Sequence, residues 1–323
     1  MQLPPSLREA IDRELEGIAL ADLERAAEVL SNRYRAETRD GRFHVDDVLA
    51  ARAYLATRLP ATYAATARAL QATTEARPGF APHRMLDVGA GPGTASWAAV
   101  EQWPSIQRTQ LIEGSTAMCA VGGRLASRLR IRADWRMEPI DTALSHLLAH
   151  DLVVMSYVLD ELEPAARDRL IMKLWELSAD VLLIIEPGTS PGWQRILRAR
   201  EQLIAAGAHL LAPCPHAGPC PLIAPDWCHF SVRVARSRLH REAKGGTVPW
   251  EDEKFIYLAV SRQCGLRTEA RIVGPPRIGK AGVALKLCRN DGNASNQTIS
   301  KRSGLEFKYA RKLEWGDSFI LRS

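Results

Sequence analysis

The stretch Met85-Leu-Asp-Val-Gly-Ala-Gly-Pro-Gly-Thr94 decides the fold of this 323-residue chain. Its apolar residues are typical of a buried strand, and Asp87 lies near the carboxyl end of that strand. Glycines then follow at every second position: Gly89, Gly91 and Gly93. A side chain at these positions would forbid a tight turn and hold the backbone away from a ligand. The stretch therefore predicts a strand, a ligand-binding turn and a helix that begins at Thr94.

The next two predicted strands carry side chains suited to a nucleoside. The segment 110–113 is predicted to end in Glu113, 20 residues after Gly93, where nucleotide-binding folds place the carboxylate that accepts ribose hydroxyls. The segment 129–134 is predicted to end at Asp134, with Trp135 next to it. An acid and an aromatic ring are thus available to an adenine.

The identity of the residue after the third glycine separates two cofactor classes. A dinucleotide fingerprint has Gly or Ala five residues after its first glycine, whereas this chain has Thr94. Asp-x-Gly-x-Gly-x-Gly-Thr instead resembles the S-adenosylmethionine loop of class I methyltransferases. We favour this cofactor over NAD or FAD, and an empty nucleotide-like fold is the remaining alternative. The residues predicted to bind it are Asp87, Gly89, Gly91, Gly93, Thr94, Glu113, Asp134, Trp135 and Ser156.

Alternating strands and helices from Met85 onward predict an α/β fold with a parallel sheet covered on both faces. The fold class is a class I methyltransferase, Rossmann-like sheet with three additions: a helical N-terminal segment, a cysteine-rich insertion and a small basic, β-rich C-terminal tail. The strands are predicted at 85–88, 109–112, 129–134, 152–156 and 181–186, and later at 269–273 and 282–288, with a helix over 250–263. The domains are predicted as 1–80 (helical), 81–206 with 250–290 (cofactor-binding), 207–249 (insertion) and 291–323 (tail).

The end of the fourth predicted strand, from Ser156 to Glu161, is where a methyltransferase meets its acceptor. Asp160 or Glu161 could act there as a base, or could serve the dipole of a helix that begins at Pro164. No Asn-Pro-Pro-Tyr, Asp-Pro-Pro-Tyr or Pro-Cys follows this strand. The usual signatures for methylating a base amino group or cytosine C5 are therefore missing.

Composition restricts the class of protein and its compartment. Apolar residues make up 46% and charged residues 25%, values ordinary for a soluble globular protein. No apolar run approaches the length that spans a membrane. The start lacks the apolar core of a secretory signal, and Asp12, Glu14 and Glu16 are unlike a mitochondrial presequence. We expect a reducing, cytoplasmic location, in which the six cysteines are ligands or core residues rather than disulfides.

The net charge of +6 is concentrated near the C-terminus. Residues 276–323 hold ten Lys or Arg and four Asp or Glu, so this segment carries the whole surplus. A second basic run lies near residues 233–244. Concentrated cations indicate a polyanionic partner such as RNA, although a solvated face is the simpler alternative for one run alone. The predicted RNA-binding residues are Arg233, Arg236, Lys301, Arg302, Lys308 and Arg311.

The segment 213–230 is rich in proline and contains Cys214, Cys220 and Cys228. Its prolines exclude a helix or a central strand, and such a loop cannot bury a core of its own. Metal ligation would supply the folding energy. The spacing Cys-x5-Cys-x7-Cys is too wide for a zinc knuckle, whereas prolines that directly follow cysteines also occur in iron–sulfur loops. Unliganded cysteines in a core are the alternative.

A fourth ligand is required, and several residues compete for the position: His216, His229, Cys264 and Cys288. Cys288 ends a convincing predicted strand, whereas Cys264 follows the helix predicted over 255–263. Cys119, in the helix after Glu113, is predicted to serve in packing.

Taken together, these segments resemble the methyltransferase-like proteins of the mitochondrial ribosomal small subunit, a family with bacterial members. The resemblance covers nearly the whole chain. It rests on Tyr54 with 58–63, 86–94, 157–162, 186–188, 214–221, 227–230, 287–288, and 299–301 through 315–317. The cysteine loop is the specific part, because the glycine loop is shared by all class I methyltransferases.

The resemblance implies a 4Fe–4S cluster on Cys214, Cys220, Cys228 and Cys288, which favours Cys288 as the fourth ligand. It also implies binding to the small-subunit ribosomal RNA and to the pre-ribosomal small subunit during assembly. Retention of the glycine loop and Glu113 implies that cofactor binding is preserved. Two main function classes follow: an RNA methyltransferase, or a non-catalytic assembly factor stabilised by its cluster. A redox-sensing oxidoreductase is a third.

Overall fold

The computed structural model describes residues 1–36 and 43–320. The helices are α1 (Pro5–Leu15), α2 (Leu20–Arg35), α3 (Val48–Thr57), α4 (Leu59–Ala76), α5 (Thr94–Gln102), α6 (Thr116–Leu129), α7 (Ile140–Ala143), α8 (Pro164–Leu177), α9 (Ser190–Ala205), α10 (Arg238–Ala243) and α11 (Leu305–Ala310). The strands are β1 (Arg84–Val88), β2 (Arg108–Ile112), β3 (Ala133–Arg136), β4 (His150–Ser156), β5 (Ser178–Pro187), β6 (His209–Ala212), β7 (Phe230–Ala235), β8 (Trp250–Ser261), β9 (Ala270–Ile272), β10 (Arg277–Ile278), β11 (Gly282–Arg289), β12 (Ala294–Ser300) and β13 (Ser318–Phe319). None of the described helices is both long enough and apolar enough to cross a membrane.

The chain divides into two compact units, and four elements contribute residues to both: α4, β5, β7 and β8. Unit 1 comprises Met1–Leu70, Ala81–Leu182 and Val232–Glu253. Unit 2 comprises Gln71–Phe80, Leu183–Ser231 and Lys254–Ser323.

Unit 1 contains the parallel strands in the order β3-β2-β1-β4. β1 pairs in parallel with β2 on one side and with β4 on the other. The order of strands reverses at β1 and β4, and open α/β sheets bind ligands at such a switch point, outside the carboxyl ends of the strands. This arrangement is the class I methyltransferase-like Rossmann fold, as predicted. The turn after β1 and the segment after β4 therefore border the expected ligand crevice.

The described part of the N-terminal segment forms helices α1 to α4 with short connections, and the predicted helical residues at 37–42 lie outside the described residues. Pro5 occupies the first turn of α1, where its missing N–H costs nothing. Asp47 caps α3, because its side chain accepts a 2.8 Å hydrogen bond from the Ala50 amide. Pro60 lies in the first turn of α4, where a proline is tolerated.

A buried carboxylate joins this helical segment to α6. Glu14 is 4% exposed and receives hydrogen bonds from Arg124, Arg128 and Arg52, at distances from 2.7 to 3.3 Å. Burial opposes ionisation of Glu14, but the hydrogen bonds from Arg124 and Arg128 outweigh it and lower the pKa to about 2. A charge removed from water in this way is stable only because it is fully paired.

In unit 2, the predicted helix over 250–263 is wrong, because residues 250–261 form strand β8. β8 pairs antiparallel with β6, so that His209 lies opposite Ser261. The segment from Phe255 to Ser261 is buried on both faces. A continuous apolar run lacks the period-2 alternation of a half-exposed strand, and periodicity alone cannot distinguish it from a buried helix.

Unit 2 also contains a five-stranded antiparallel sheet in the order β10-β11-β9-β13, with β12 paired to β11. The segments 269–273 and 282–288, predicted as the last strands of the methyltransferase sheet, belong to this separate sheet instead. β11 and β12 form a hairpin in which Gly282 lies opposite Ser300. β11 pairs with β12 rather than with the methyltransferase sheet because two antiparallel strands can be joined by a short hairpin, whereas parallel strands need a long crossover connection.

The basic tail contains helix α11 as well as the strands β12 and β13. Its apolar side chains cover the core of the five-stranded sheet, and Phe307, Tyr309 and Leu313 pack against that core. Tyr309 is therefore a hydrophobic anchor of the tail.

Candidate functional site

The glycine turn after β1 has the backbone that its sequence predicts. Gly89, Gly91 and Gly93 have φ values of +68°, +56° and +87°, in the left-handed region that favours glycine. A Cβ at Gly89 would lie 2.3 Å from Cγ2 of Val158, so the segment after β4 packs directly on this turn. A Cβ at Gly91 would meet nothing within 4 Å. Space above Gly91 is therefore open to a ligand.

Glu113 ties the end of β2 to the glycine turn. Its carboxylate accepts hydrogen bonds from the Gly91 amide (2.8 Å) and the Ser115 amide (2.7 Å). Burial raises the pKa of Glu113, and these amides oppose the increase. An ionised carboxylate offers about four acceptor sites. The backbone amides do not use all of them, so Glu113 can still accept a hydrogen bond from a ribose hydroxyl.

Asp87 is completely buried beneath the turn. Its Oδ2 accepts hydrogen bonds from the amide (3.1 Å) and the hydroxyl (2.8 Å) of Ser96. Burial raises the pKa of Asp87 to about 7, although Ser96 favours the ionised form. Oδ1 has no hydrogen-bond partner among the described residues, so this carboxyl can still accept one. Thr94, which begins α5, is also buried beside the turn.

The structure separates Asp134 from these residues. The third strand begins at Ala133 rather than ending at Asp134, because α6 continues to Leu129. The predicted boundary is therefore wrong, and Asp134 lies opposite Gln110 rather than at the carboxyl end. Its carboxylate pairs with Nε of Arg108 at 2.5 Å.

Trp135 lies one residue closer to the carboxyl end of β3 than Asp134. Its ring packs over Gly122 of α6, where an added Cβ would lie 2.5 Å away. The role predicted for both residues in adenine binding remains a prediction.

The segment after β4 brings further side chains to the switch point. Ser156 is half-buried at the end of the strand, and Tyr157 has a φ of +60°, rare for a residue with a side chain. Asp160 is buried in a short 3-10 turn, Leu159–Glu161. The Glu161 carboxylate lies 3.7 Å from Nε2 of His44. Both acids proposed as bases therefore lie in the segment that directly follows β4, and Asp160 is buried there.

Three side chains at this edge were not assigned to the site from the sequence: Tyr34, Arg58 and Glu253. The Tyr157 hydroxyl donates a 3.1 Å hydrogen bond to Glu253, and the Arg58 guanidinium stacks 4.8 Å from the centre of the Tyr34 ring. Glu253 was missed because its segment was predicted as a helix. The aromatic and β-branched residues that follow it, Phe-Ile-Tyr-Leu-Ala-Val, are a usable strand signal.

In unit 2, four cysteines from distant parts of the chain line one cavity: Cys214, Cys220, Cys228 and Cys288. Burial raises the pKa of Cys214, Cys228 and Cys288, for the last to about 12. Thiols in this state lose their protons when a metal binds. All four are free of disulfides.

The structure also distinguishes the competitors for the fourth ligand position. His216 lines the same cavity, and its Nε2 lies 3.5 Å from Sγ of Cys288. Cys264 is exposed after β8, 3.4 Å from Nδ1 of His209, and the ring of His229 packs between Trp227 and Trp315. Neither Cys264 nor His229 lines the cavity. Cys119, predicted to serve in packing, is buried in α6 and confirms that prediction.

Two arginines hold the cysteine loop in place. Arg200 donates hydrogen bonds of 2.7 Å to the carbonyls of His216 and Gly218, and Arg271 donates one of 3.0 Å to the carbonyl of Pro213. Both side chains also line the cavity. They place positive charge beside the thiols, which favours thiolates and an anionic group bound by them.

Across residues 1–36 and 43–320, no three His, Cys, Asp or Glu side chains are grouped as ligands of one metal ion. Ligands of a single ion must converge on it, at about 2.3 Å for each thiolate. A four-iron cluster instead takes its four thiolates at separate irons. Among the described residues, the structure therefore shows four cysteines around one cavity and no site for a single ion.

The six basic residues predicted to bind RNA fall into two groups. Arg233 forms a two-bond ion pair with Asp252, at 2.8 and 3.0 Å, and Arg236 pairs with Glu251 at 2.8 Å. Lys301, Arg302, Lys308 and Arg311 are exposed. None of these four forms an ion pair within the described part of the chain, so their charges are available to a partner.

The strand order and the glycine turn define a class I methyltransferase-like protein. Comparison with known families gives the particular one, because the family described as "Mitochondrial small ribosomal subunit Rsm22" matches residues 48–320. The chain belongs to this family.

Among curated proteins, the human "Ribosome assembly protein METTL17, mitochondrial" is 28% identical over 290 residues, 82% of this chain and 61% of the human protein. The "Rsm22-cox11 tandem protein 2, mitochondrial" of Schizosaccharomyces pombe is 25% identical over 291 residues, 73% of this chain and 38% of that protein. This chain therefore spans less than two thirds of the length of these relatives.

Among solved structures, magnesium protoporphyrin IX methyltransferase from Synechocystis with bound SAH matches with a TM-score of 0.41 and 13% identity, over 72% of this chain and 94% of that chain. Precorrin-6y C5,15-methyltransferase from Geobacter metallireducens matches with a TM-score of 0.40 and 15% identity, over 61% of this chain and 87% of that chain. Likeness at this level carries no functional information. The fold assignment stands on the strand order.

Proposed function

We propose that this protein binds S-adenosylmethionine and a 4Fe–4S cluster, and that it binds small-subunit ribosomal RNA during assembly of the subunit. The observation that carries the proposal is the coexistence of two built sites in a chain of the Rsm22 family. Unit 1 has an open glycine turn at the switch point, and unit 2 has four thiols around one cavity.

The cofactor part of the proposal is supported by the residues beneath and beside the turn. Gly91 leaves space for a ligand, Glu113 retains acceptor sites for ribose hydroxyls, and Oδ1 of Asp87 lacks a partner among the described residues. When bound, S-adenosylmethionine supplies a methyl group on a sulfonium. The residues of this chain hold and orient it.

The cluster part is supported by the donor set and by the charge around it. Cys214, Cys220, Cys228 and Cys288 would hold the cluster, and Arg200 and Arg271 would offset its negative charge. The ligands come from the proline-rich loop and from β11, so cluster binding would join two segments that are far apart in sequence.

Chemical analysis of anaerobically prepared protein tests the cluster. We expect about four iron and four acid-labile sulfide per chain, a stoichiometry set by the cluster type. Cys220→Ser should lose most of both, and Cys119→Ser is the control because Cys119 lies in α6, outside the cavity. Wild-type protein containing zinc, or neither iron nor sulfide, would refute this part.

Methyl transfer to the RNA is the finer form of the proposal. Asp160 and Glu161 lie in the segment that directly follows β4 and are the base candidates. Incubation with methyl-labelled S-adenosylmethionine and immature small subunits tests it, with Asp160→Asn and Glu161→Gln as variants. Label in RNA that either variant reduces by about 100-fold supports a base. Cofactor and RNA binding without label leaves a non-catalytic assembly factor.

A further inference from the structure

A group of buried polar side chains next to the glycine turn takes no part in the function proposed above. Tyr34, Arg58, Tyr157 and Glu253 all belong to unit 1 and come from α2, from between α3 and α4, from the end of β4 and from β8. Each keeps partial solvent contact. Burial nevertheless raises the pKa of Tyr34, Tyr157 and Glu253. These four side chains are half-buried rather than sealed in the core, and the space that they border is called the recess below.

The two charges in this recess are not paired with each other. The Arg58 guanidinium stacks on Tyr34, and its Nε has no hydrogen-bond partner among the described residues. Glu253 accepts a hydrogen bond from Tyr157 at 3.1 Å but forms no ion pair within residues 1–36 and 43–320. Each charge nevertheless influences the other, since Glu253 raises the pKa of Arg58 against the effect of burial. A buried charge without a partner is costly, so a ligand that pairs with both would be favoured.

The recess adjoins the glycine turn on two sides. Tyr157 is followed by Val158, whose Cγ2 would lie 2.3 Å from a Cβ at Gly89. On the other side, Tyr54 lies one helical turn before Arg58, and its hydroxyl is 3.5 Å from Thr62. Burial raises the pKa of the Tyr54 phenol, and Thr94, the first residue after the turn, is among the groups that oppose the increase. The segment that carries Tyr157 and the helix that precedes Arg58 therefore both lie beside the glycine turn.

The backbone of Tyr157 is a further sign that this arrangement is maintained for a purpose. A φ of +60° costs about 1 kcal/mol or more for a residue with a side chain, and such strain persists where the surroundings enforce it. In this conformation the phenol reaches Glu253.

We propose that Arg58 and Glu253 form the subsite for the amino-acid end of S-adenosylmethionine, an inference that rests on the proposed cofactor binding. Arg58 binds the α-carboxylate, and Glu253 accepts hydrogen bonds from the α-ammonium. A phosphate would satisfy Arg58 but be repelled by Glu253, and a simple cation would do the reverse. The zwitterion satisfies both.

Three ligands test this assignment by equilibrium binding to the full-length protein. S-adenosylhomocysteine carries the whole amino-acid end, decarboxylated S-adenosylmethionine lacks the carboxylate, and 5′-methylthioadenosine lacks the entire end. For wild-type protein we expect S-adenosylhomocysteine to bind about 100-fold more tightly than 5′-methylthioadenosine, because two charged hydrogen-bonded contacts are lost.

Each variant should weaken only those ligands that carry the group its side chain contacts. Arg58→Gln should weaken S-adenosylhomocysteine by about 10- to 100-fold, while the affinity for 5′-methylthioadenosine and for decarboxylated S-adenosylmethionine stays within about twofold. Glu253→Gln should weaken both ligands that carry the ammonium. Arg238→Gln is the matched control, because Arg238 is an exposed arginine that pairs with Glu242. Thermal unfolding of each variant shows that it is folded.

The possible failures are distinguishable. Wild-type protein that binds none of the three ligands overturns cofactor binding and this subsite together. Equal affinity for S-adenosylhomocysteine and 5′-methylthioadenosine leaves cofactor binding intact and overturns the subsite. So does an Arg58→Gln protein that loses affinity for both ligands equally, because Arg58 would then only support the turn.

Discussion

Gly89 and Gly91 have the same left-handed backbone for different spatial reasons. Val158 occupies the space that a side chain at Gly89 would need, whereas the corresponding space at Gly91 is open. Both are glycines of one motif, and nothing in the sequence distinguishes them. The difference depends on β4, which lies more than 60 residues farther along the chain and pairs with β1.

Alanine substitutions should separate these two roles. Gly89→Ala should destabilise the protein by about 1–3 kcal/mol, because its methyl group overlaps Val158. Gly91→Ala should cost only the backbone strain, about 1 kcal/mol, but should weaken binding of S-adenosylhomocysteine by at least about tenfold. Urea denaturation and equilibrium binding measure the two effects. Unchanged ligand affinity in Gly91→Ala would show that the ligand does not approach the turn.

The ionisation of Glu14 makes the free energy of unfolding depend on pH in the acid range. Its pKa of about 2 lies below the ordinary 4.5, so the stability it contributes is complete above pH 4.5 and is lost as the pH falls toward 2. Glu14→Gln should lower the free energy of unfolding at pH 7 by about 3 kcal/mol, because three arginines lose their anion. It should also flatten the pH dependence in that window.

The control for this substitution is Glu9→Gln, whose ion pair with Arg13 is exposed on both sides. Exposed pairs contribute about 0–1 kcal/mol, so this variant should unfold almost like the wild type. Equal effects of the two substitutions, measured by urea denaturation, would show that burial of Glu14 is unimportant.

At the scale of elements, β8 shows why a buried strand can be mistaken for a helix. Exposed residues alternate with half-buried ones from Trp250 to Lys254, and the rest of the strand is buried on both faces. The hydrophobic pattern of a fully buried strand cannot be distinguished from that of a fully buried helix, because neither has an exposed face. The pairing of β8 with β6 decides between them, and a contact of that kind is not local in sequence.

Phe255 is the residue of β8 on which the packing of unit 2 can be tested. It is 0% exposed, and its ring lies 6.0 Å from that of Phe230 and 5.9 Å from that of Tyr257. Phe255→Ala should destabilise the protein by about 3–5 kcal/mol because of the cavity that it leaves. Ile223→Ala is the control, since Ile223 is 76% exposed. Thermal unfolding compares the two, and a shift of similar size in both would contradict this view of the core.

Across the whole molecule, some of the basic residues that are clustered in the sequence are already paired with carboxylates, and others are not. The tail cations Lys301, Arg302, Lys308 and Arg311 are exposed and unpaired within the described residues, whereas Arg233 and Arg236 are bound to carboxylates. Counting residues along the sequence gives each of them one charge. Only the fold shows which charges are already compensated.

This difference predicts unequal contributions to RNA binding. Lys301→Ala combined with Arg302→Ala should weaken binding of small-subunit RNA and reduce the slope of log affinity against log salt concentration by about two. Arg233→Ala should change the slope by less than about 0.5, because Asp252 already neutralises that cation. Filter binding at several salt concentrations measures both. Equal slopes in wild type and the double variant would exclude these two residues from the RNA contact.

The sequence by itself determined the strand–turn–helix unit at 85–94, the helical N-terminal segment and the presence of a cysteine-rich loop, because each depends on neighbouring residues with strong local preferences. The tertiary structure alone decided that 250–261 is a strand, that β9 and β11 belong to a second sheet, and that Cys288 rather than Cys264 reaches the cavity. It also brought Arg58 to the same recess as Glu253. The physical reason is that these features arise from pairing and packing between residues far apart in the chain, which no local pattern encodes.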